Sequence, residues 1–405
     1  MHVTIVGSGF GGIRCALDLA KDPKNNITLI TDKSDFQYYP TLYSTATGRS
    51  YTESWTPLGE IFADLPNVHV YIDTITGIDA AKKTLTGESG AVYTYETVVI
   101  GIGVVTTYFN IPGLETYAYG IKSRQEIQRL KQRLFIDIAE KGVLDKNYVV
   151  IGAGPTGVEL SAAMGTYIKR LCRHYGVKDR GVRVRLIEAA PRVLPHSSER
   201  TSRVVAKRLK KLGVIVETNK KVERKNATEL IVSGKPVTTH TVIWTSGVTN
   251  HPFFADHPEV FTLANNGRVV VNEYLQAAND VYVIGDNAAT PYTGLAQTAI
   301  HDARTVARNL TRAAKGKAMR VYKPILPVQA IPVGKGWAVI EWRWVKIYGW
   351  LGGRVRRMAD LIGYSEVLPL GLSLGAWSAA RAYQNDYFTP TQPKVERRKT
   401  KVRDR

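Results

Sequence analysis

Two α/β domains built on parallel sheets, followed by a C-terminal amphipathic helical segment, are what the sequence predicts, and three observations predict them. Two glycine-rich turns, Gly7-Ser8-Gly9-Phe10-Gly11-Gly12 and Gly152-Ala153-Gly154-Pro155-Thr156-Gly157, each follow an apolar run and open a helical pattern. After each comes a second apolar run closing on a carboxylate: Asp32 after residues 27–31, Glu188 after residues 182–187. A later run, residues 281–284, ends in Gly285-Asp286. Either turn alone reads as a plain tight bend. A strand, a glycine turn, a helix and a carboxylate about 20 residues on together make a Rossmann-like dinucleotide site. The first glycine makes the turn, the second admits a pyrophosphate to the backbone, the third lets helix pack on strand, and the phosphates rest on the helix N-terminus.

Taken in order, residues 1–113 read as the first part of one nucleotide domain. The loop 7–12 leads to Asp32-Lys33, and the strand 97–101 to Gly103. Residues 114–242 read as an inserted second domain on the loop 152–157; Glu188 falls later than usual because the intervening helix is long or carries an insertion around Arg173 to Arg180. Residues 243–325 return to the first domain, since a strand ending in Gly285-Asp286 offers a carboxylate to a polyol chain; a helix over 297–313 follows. Residues 326–390 form the amphipathic region, and 391–405 a basic tail. Two dinucleotide sites in one chain suit electron transfer between two bound cofactors. A carboxylate at Glu188 repels a 2′-phosphate and so favours NADH over NADPH; the nearby Arg192 leaves the strictness of that preference open.

The chain has 405 residues, enough for two or three domains with buried cores. Its two cysteines, Cys15 and Cys172, lie in helical patterns without a redox pairing, which points to a reducing compartment. The N-terminus runs straight into a strand with no leader pattern, and no run of roughly 18 apolar residues exists to span a bilayer. No metal-ligand pattern occurs. A formal charge of +20 implies attraction to anionic surfaces, and it is densest at Lys394, Arg397, Arg398, Lys399, Lys401, Arg403 and Arg405. Such a tail is also read simply as a solvated segment.

Six segments in order, residues 32–48, 98–113 with the Lys122-Ser123 helix start, 152–159, 244–248, 285–288 and 296–299, carry a resemblance. The chain resembles the type II NADH dehydrogenases, single-subunit flavoproteins of the two-dinucleotide-binding-domain superfamily that pass electrons from NADH to quinone. The resemblance implies FAD as cofactor, held at its ADP half by Gly7, Gly9, Phe10, Gly11, Gly12, Asp32 and Lys33. It implies Asp286 at the ribityl chain, and Gly103, Ala296 and Gln297 beside the flavin ring. NADH falls to Gly152, Gly154, Pro155, Thr156, Gly157 and Glu188, with Ser246 and Gly247 close by. Glu159 matches a glutamate of proton handling near the quinone, and it is equally read as a helix N-terminal carboxylate placed by the macrodipole. Gln297 keeps the first glutamine of the family's quinone motif, but His301-Asp302 replaces the later glutamine pair. His301 then either protonates a quinone oxygen or is an ordinary surface or packing residue.

The implied reaction is a hydride from NADH to FAD and two electrons to a membrane quinone, menaquinone or ubiquinone, without proton pumping. The relatives that use redox cysteines are set aside, because neither Cys15 nor Cys172 matches their positions. Residues 336–387 mix Trp337, Trp342, Trp344, Tyr348, Trp350 and Leu351 with Arg343, Lys346, Arg354, Arg356 and Arg357, as expected of a helix lying on an anionic lipid surface. A second helix is expected over 368–383. The alternative reading is that these helices form a homodimer interface or cap the core. The expected location is the cytoplasmic face of the cell membrane, peripherally bound. Two other classes stay open: a soluble reductase of a ferredoxin- or rubredoxin-like protein, and a flavoprotein of the apoptosis-inducing kind with a basic nucleic-acid surface. No nucleic-acid motif supports the latter.

Overall fold

The computed structural model describes residues 1–178 and 181–384. A six-stranded sheet runs in the order Gln276–Ala278, Val281–Val283, Thr97–Ile100, His2–Val6, Asn26–Thr31, Val68–Ile72, all parallel except the terminal 276–283 hairpin. Strands buried on both faces must be continuously apolar, and Val3, Ile5, Val98, Val99 and Val283 are fully buried. Helices Phe10–Ala20 and Ala296–Ala313 cover one face. A small antiparallel sheet (Ile75–Asp79, Thr84–Gly87, Val92–Thr94) shares a core with the other.

The second sheet is four-stranded and wholly parallel, ordered Val214–Glu217, Val184–Ile187, Tyr148–Ile151, Thr241–Trp244. Helices Arg124–Phe135 and Pro155–Tyr175 pack on it. The first of these starts at a capping box. The Ser123 hydroxyl accepts from the Glu126 N–H (3.1 Å), and the Glu126 carboxylate accepts from the Ser123 N–H (3.0 Å), which satisfies two orphan donors reciprocally.

The C-terminal region departs from the sequence expectation. The aromatic and basic stretch is not helical until Trp350. Trp342 and Tyr348 instead lie in a three-stranded antiparallel sheet, Gln329–Pro332, Ala338–Trp342, Val345–Gly349, with Trp337 just before its second strand and Trp344 in its hairpin turn. Val, Ile, Trp and Tyr suit a pleated surface better than a helix, and Arg343 at φ 52° turns the hairpin. Trp337 and Tyr348 face helix Glu199–Lys211 through Arg208 and a Thr201 to Tyr348 hydroxyl bond of 3.0 Å, so they dock the sheet on the second domain. Two helices follow, Trp350–Ser365 and Leu370–Ala379; the second is shorter than expected. The basic tail lies outside the described residues.

Helix Trp350–Ser365 is inverted relative to an ordinary surface helix. Leu351, Val355, Met358 and Ile362 recur at helical spacing and all are exposed, Ile362 by 59%. Its inner face carries Gly352, Arg356, Asp360 and Gly363. A Cβ at Gly352 would collide with the Ala338 carbonyl and one at Gly363 with the Tyr38 hydroxyl, so both glycines let the helix sit close to its support.

Candidate functional site

The two glycine loops have the same construction. Gly7 and Gly152 take φ of +102° and +98°, which only glycine adopts readily. A Cβ on Gly12 would collide with the Gly7 carbonyl oxygen, and one on Gly157 with that of Gly152, so the helix in each case lies directly on its turn. A Cβ on Gly9 or Gly154 would meet nothing within 4 Å. These middle glycines therefore open their backbone to a ligand at a helix N-terminus, and neither helix has an acidic residue in its first turn to compete for it. The chain thus holds two cradles fitted to a pyrophosphate.

Around the first cradle, Gly11 approaches the Ile284 side chain, and Phe10 turns its ring into the core, edge-on to Phe36 (5.2 Å) and Tyr38 (5.4 Å), leaving its backbone at the loop. Ser8 and Thr31 hydroxyls bond at 2.8 Å, which fixes the end of the second strand. Asp32 and Lys33 follow it, exposed and 3.6 Å apart. Gly103 exchanges two hydrogen bonds with buried Asn287: the Gly103 N–H donates to Oδ1 (2.8 Å) and Nδ2 donates to the Gly103 carbonyl (2.6 Å). Asn287 also donates to Asn250 (2.7 Å), and Arg268 donates to the Asp286 carbonyl (3.0 Å). Burial raises the Asp286 carboxyl above its usual range, against the opposing charge of Arg268. Asn250, Arg268 and Asn287 are polar scaffolding that sequence reasoning missed, because their partners lie far away in the chain.

At the second cradle Pro155 occupies the first helical turn and, with Thr156, is exposed. The Glu188 carboxylate accepts the Ala153 N–H (2.6 Å) and the Ala190 N–H (2.7 Å), which holds it against the loop. The Arg192 guanidinium donates to the Ser197 and Pro195 carbonyls, both at 2.7 Å. Ser246 lies against Gly152, and Gly247, at φ +72°, against Phe109 and Thr107.

Glu159 stands in the second turn of helix Pro155–Tyr175 beside segment Leu42–Ala46. Burial pushes its carboxyl up to about 8; nearby Arg356 opposes that and Asp360 reinforces it. Arg356 contacts Asp360 at 3.1 Å and donates to the Pro40 carbonyl (3.1 Å). Burial works against its charge, and Asp360 and Glu159 outweigh that, so the guanidinium stays ionised. Tyr43 is held neutral by burial and by Glu159. Further along the same seam, burial moves Glu53 up to about 7 and Lys131 down to about 8. Arg356 therefore faces inward and is not one of the lipid-facing cations expected from the sequence. Its spacing of four from Asp360 on one helix was the available signal.

The remaining candidates stand on helix Ala296–Ala313. The Gln297 amide is closed on Val328, donating to its carbonyl (2.8 Å) and accepting its N–H (3.1 Å). His301 Nε2 bonds the Lys323 carbonyl (2.8 Å), with the ring against Tyr322. Both side chains clip the following segment, and Ala296 is half-buried beside them. Asp302 is fully buried, accepts the Gly285 N–H (3.0 Å), and burial raises it to about 6. Cys15 and Cys172 are buried, and burial lifts the Cys15 thiol far above its usual value, so it offers no thiolate.

A family model described as pyridine nucleotide-disulphide oxidoreductase matches residues 1–303. The chain is 30% identical over 335 residues to the type II NADH:quinone oxidoreductase Ndh of Mycobacterium tuberculosis, spanning 76% of this chain and 72% of that protein. It is 27% identical over 348 residues to the type II NADH:quinone oxidoreductase of Staphylococcus aureus, spanning 79% and 84%. Among solved structures, NDH2 from Plasmodium falciparum in complex with NADH has a TM-score of 0.83 at 18% identity, covering 95% of this chain and 99% of that one. The sulfide:quinone oxidoreductase of Aquifex aeolicus reaches 0.74 at 20% identity, covering 88% and 89%. These two likenesses show the fold.

Proposed function

The chain belongs to the pyridine nucleotide-disulphide oxidoreductases and, within them, to the type II NADH:quinone oxidoreductases, and on that premise we propose how its residues divide the work. It is an enzyme that oxidises NADH and reduces a quinone. Bound FAD supplies the two-electron relay between these substrates. The observation that carries the division of labour is the pair of open middle glycines, Gly9 and Gly154, with the charged seam of Glu159, Arg356 and Asp360 nearby.

The loop 7–12 would hold the FAD pyrophosphate and Asp32 its ribose, with Asp286 at the ribityl chain and the Gly103 turn braced by Asn287 near the ring. The loop 152–157 would hold NADH, with Glu188 at the adenine ribose. Glu188 at the end of its strand would repel a 2′-phosphate, and Arg192 is drawn toward the Ser197 and Pro195 carbonyls, which supports NADH over NADPH. Glu159 would carry a proton to the quinone, because its carboxyl is still largely protonated at neutral pH. Gln297 and His301 would position the segment 320–328 beside that site. Buried Cys15 and Cys172 leave no sulfur chemistry of the sulfide-oxidising kind.

Quinones reside in lipid, so the enzyme must meet a bilayer. Leu351, Val355, Met358 and Ile362, with Leu370 (70% exposed) and Trp344 (86% exposed), would form the face that docks there, on the cytoplasmic side where NADH is made.

Anaerobic mixing with NADH should bleach the flavin band, and a menaquinone or ubiquinone analogue should restore it. Restoration only by a ferredoxin- or rubredoxin-like protein would overturn this reading. Glu188→Ala should raise the NADH KM by about tenfold or more, as expected for losing a charge-assisted bond, while flavin content stays unchanged. A loss of flavin instead would place Glu188 at the wrong cofactor.

A further inference from the structure

A charged feature lies away from both nucleotide loops. Between helices Phe10–Ala20 and Ala296–Ala313 runs an open cleft of about 720 Å³. Six cations line it, Arg14, Lys21, Arg304, Arg308, Arg312 and Arg320, against one lining carboxylate, Asp18. Arg14 forks onto Asp18 (2.9 and 2.5 Å), and Lys21 shares that carboxylate (2.6 Å). Glu366, at the junction of the two C-terminal helices, receives Arg14 and Arg304. Six cations less these two carboxylates leave a surplus of four.

That surplus is not what the fold requires. Arg312 and Lys21 lie at helix C-termini, where the dipole favours cations, and Arg312 also donates to the Ala318 carbonyl (2.7 Å). Arg304 is held by Glu366, but Arg308 has neither a helix end nor, among the described residues, an ion pair to account for it. They continue in steps of four to Arg312, a like-charged row that weakens a helix. Exposed Arg308 and Arg320 form no ion pair among the described residues, and the Asp18 carboxylate that shares their cleft is taken by Arg14 and Lys21. Guanidinium forks converging on one cleft match the oxygens of a phosphate. Glu366 fixes where the cleft lies: beside the end of helix Trp350–Ser365, whose exposed stripe ends at Ile362.

We propose that this cleft binds the phosphodiester headgroup of an anionic lipid when the adjoining apolar stripe enters the bilayer. The inference rests on the docking reading given above. It adds a defined headgroup site to what would otherwise be diffuse attraction.

The test is flotation of the flavin-loaded protein with phosphatidylcholine vesicles and with vesicles that also contain phosphatidylglycerol. Three forms are compared: wild type, Arg308→Gln/Arg320→Gln, and Lys210→Gln/Lys211→Gln, which removes the same charge from exposed positions on helix Glu199–Lys211. Wild type should bind both vesicles, and phosphatidylglycerol should strengthen binding. The cleft pair should lose about tenfold of that strengthening and the control pair less than about twofold, with binding to phosphatidylcholine equal in all three. NADH should still bleach the flavin of the cleft variant, which confirms its fold. Equal losses in the two pairs would mean diffuse charge and overturn the proposal. So would a wild type with no preference for phosphatidylglycerol whose thermal midpoint rises with inorganic pyrophosphate, since the cleft would then serve a soluble anion. A wild type that binds neither vesicle would overturn the docking reading itself, a result distinct from loss of the headgroup preference alone.

Discussion

Gly12→Ala is expected to yield colourless protein. The added methyl carbon collides with the Gly7 carbonyl oxygen, a backbone atom that no rotamer change can move aside. Relief requires helix Phe10–Ala20 to lift off its turn, yet that helix buries Ile13, Cys15, Ala16 and Leu19 in the core beside the central strands. That shift separates the helix N-terminus from the glycine turn, and the phosphate cradle depends on both. Flavin absorbance per protein should fall by more than about tenfold, and the thermal midpoint should drop by several degrees, as for overpacking worth about 1–3 kcal/mol. Gly9→Ala separates the two causes. Nothing lies within 4 Å of a Cβ there, so the unliganded fold should keep its stability while flavin affinity drops. A fully yellow Gly12→Ala protein would refute the assignment of this loop.

Glu159→Gln is expected to slow the quinone step by about a hundredfold or more, the usual scale for a lost general acid, and to leave the NADH step nearly unchanged. The pH dependence supplies the sign. Burial raises the carboxyl to about 8, so it carries its proton below that pH and loses it above. A proton donor is therefore abundant near pH 6 and scarce near pH 10. The wild-type quinone rate should fall as pH rises through about 8, and the glutamine variant should lack that limb. Asp360 adds to the upward shift, so Asp360→Asn should move the limb to lower pH. Stopped-flow measurement of the two half-reactions across that range tests this. A limb that persists unchanged in Glu159→Gln would remove Glu159 from proton transfer.

The legible and illegible parts of the site divide by the range of the forces involved. The glycine turns could be read because a positive φ at Gly7 and Gly152, and the contact of Gly12 or Gly157 with a carbonyl a few residues earlier, are decided within one strand-turn-helix unit. The apolar runs on either side were readable for the same reason. Gln297 and His301 could be noticed but not oriented, since their side chains answer to Val328 and Lys323, and nothing in their own helix signals those carbonyls. The cations and aromatics of the stretch from Trp337 to Tyr348 suggest an interfacial helix. Its β-branched residues and a hairpin turn decide otherwise.

From its own residues the sequence determined that this protein has two glycine turns, each opening a helix, and a carboxylate closing the strand after each, because local backbone sterics and short periodicities set those features. Only the tertiary structure decided that burial raises the Glu159 carboxyl and that Arg356 turns inward to meet Asp360. The cost of a buried charge depends on which distant elements exclude water from it, and helix Trp350–Ser365 reaches Glu159 only once the chain has folded.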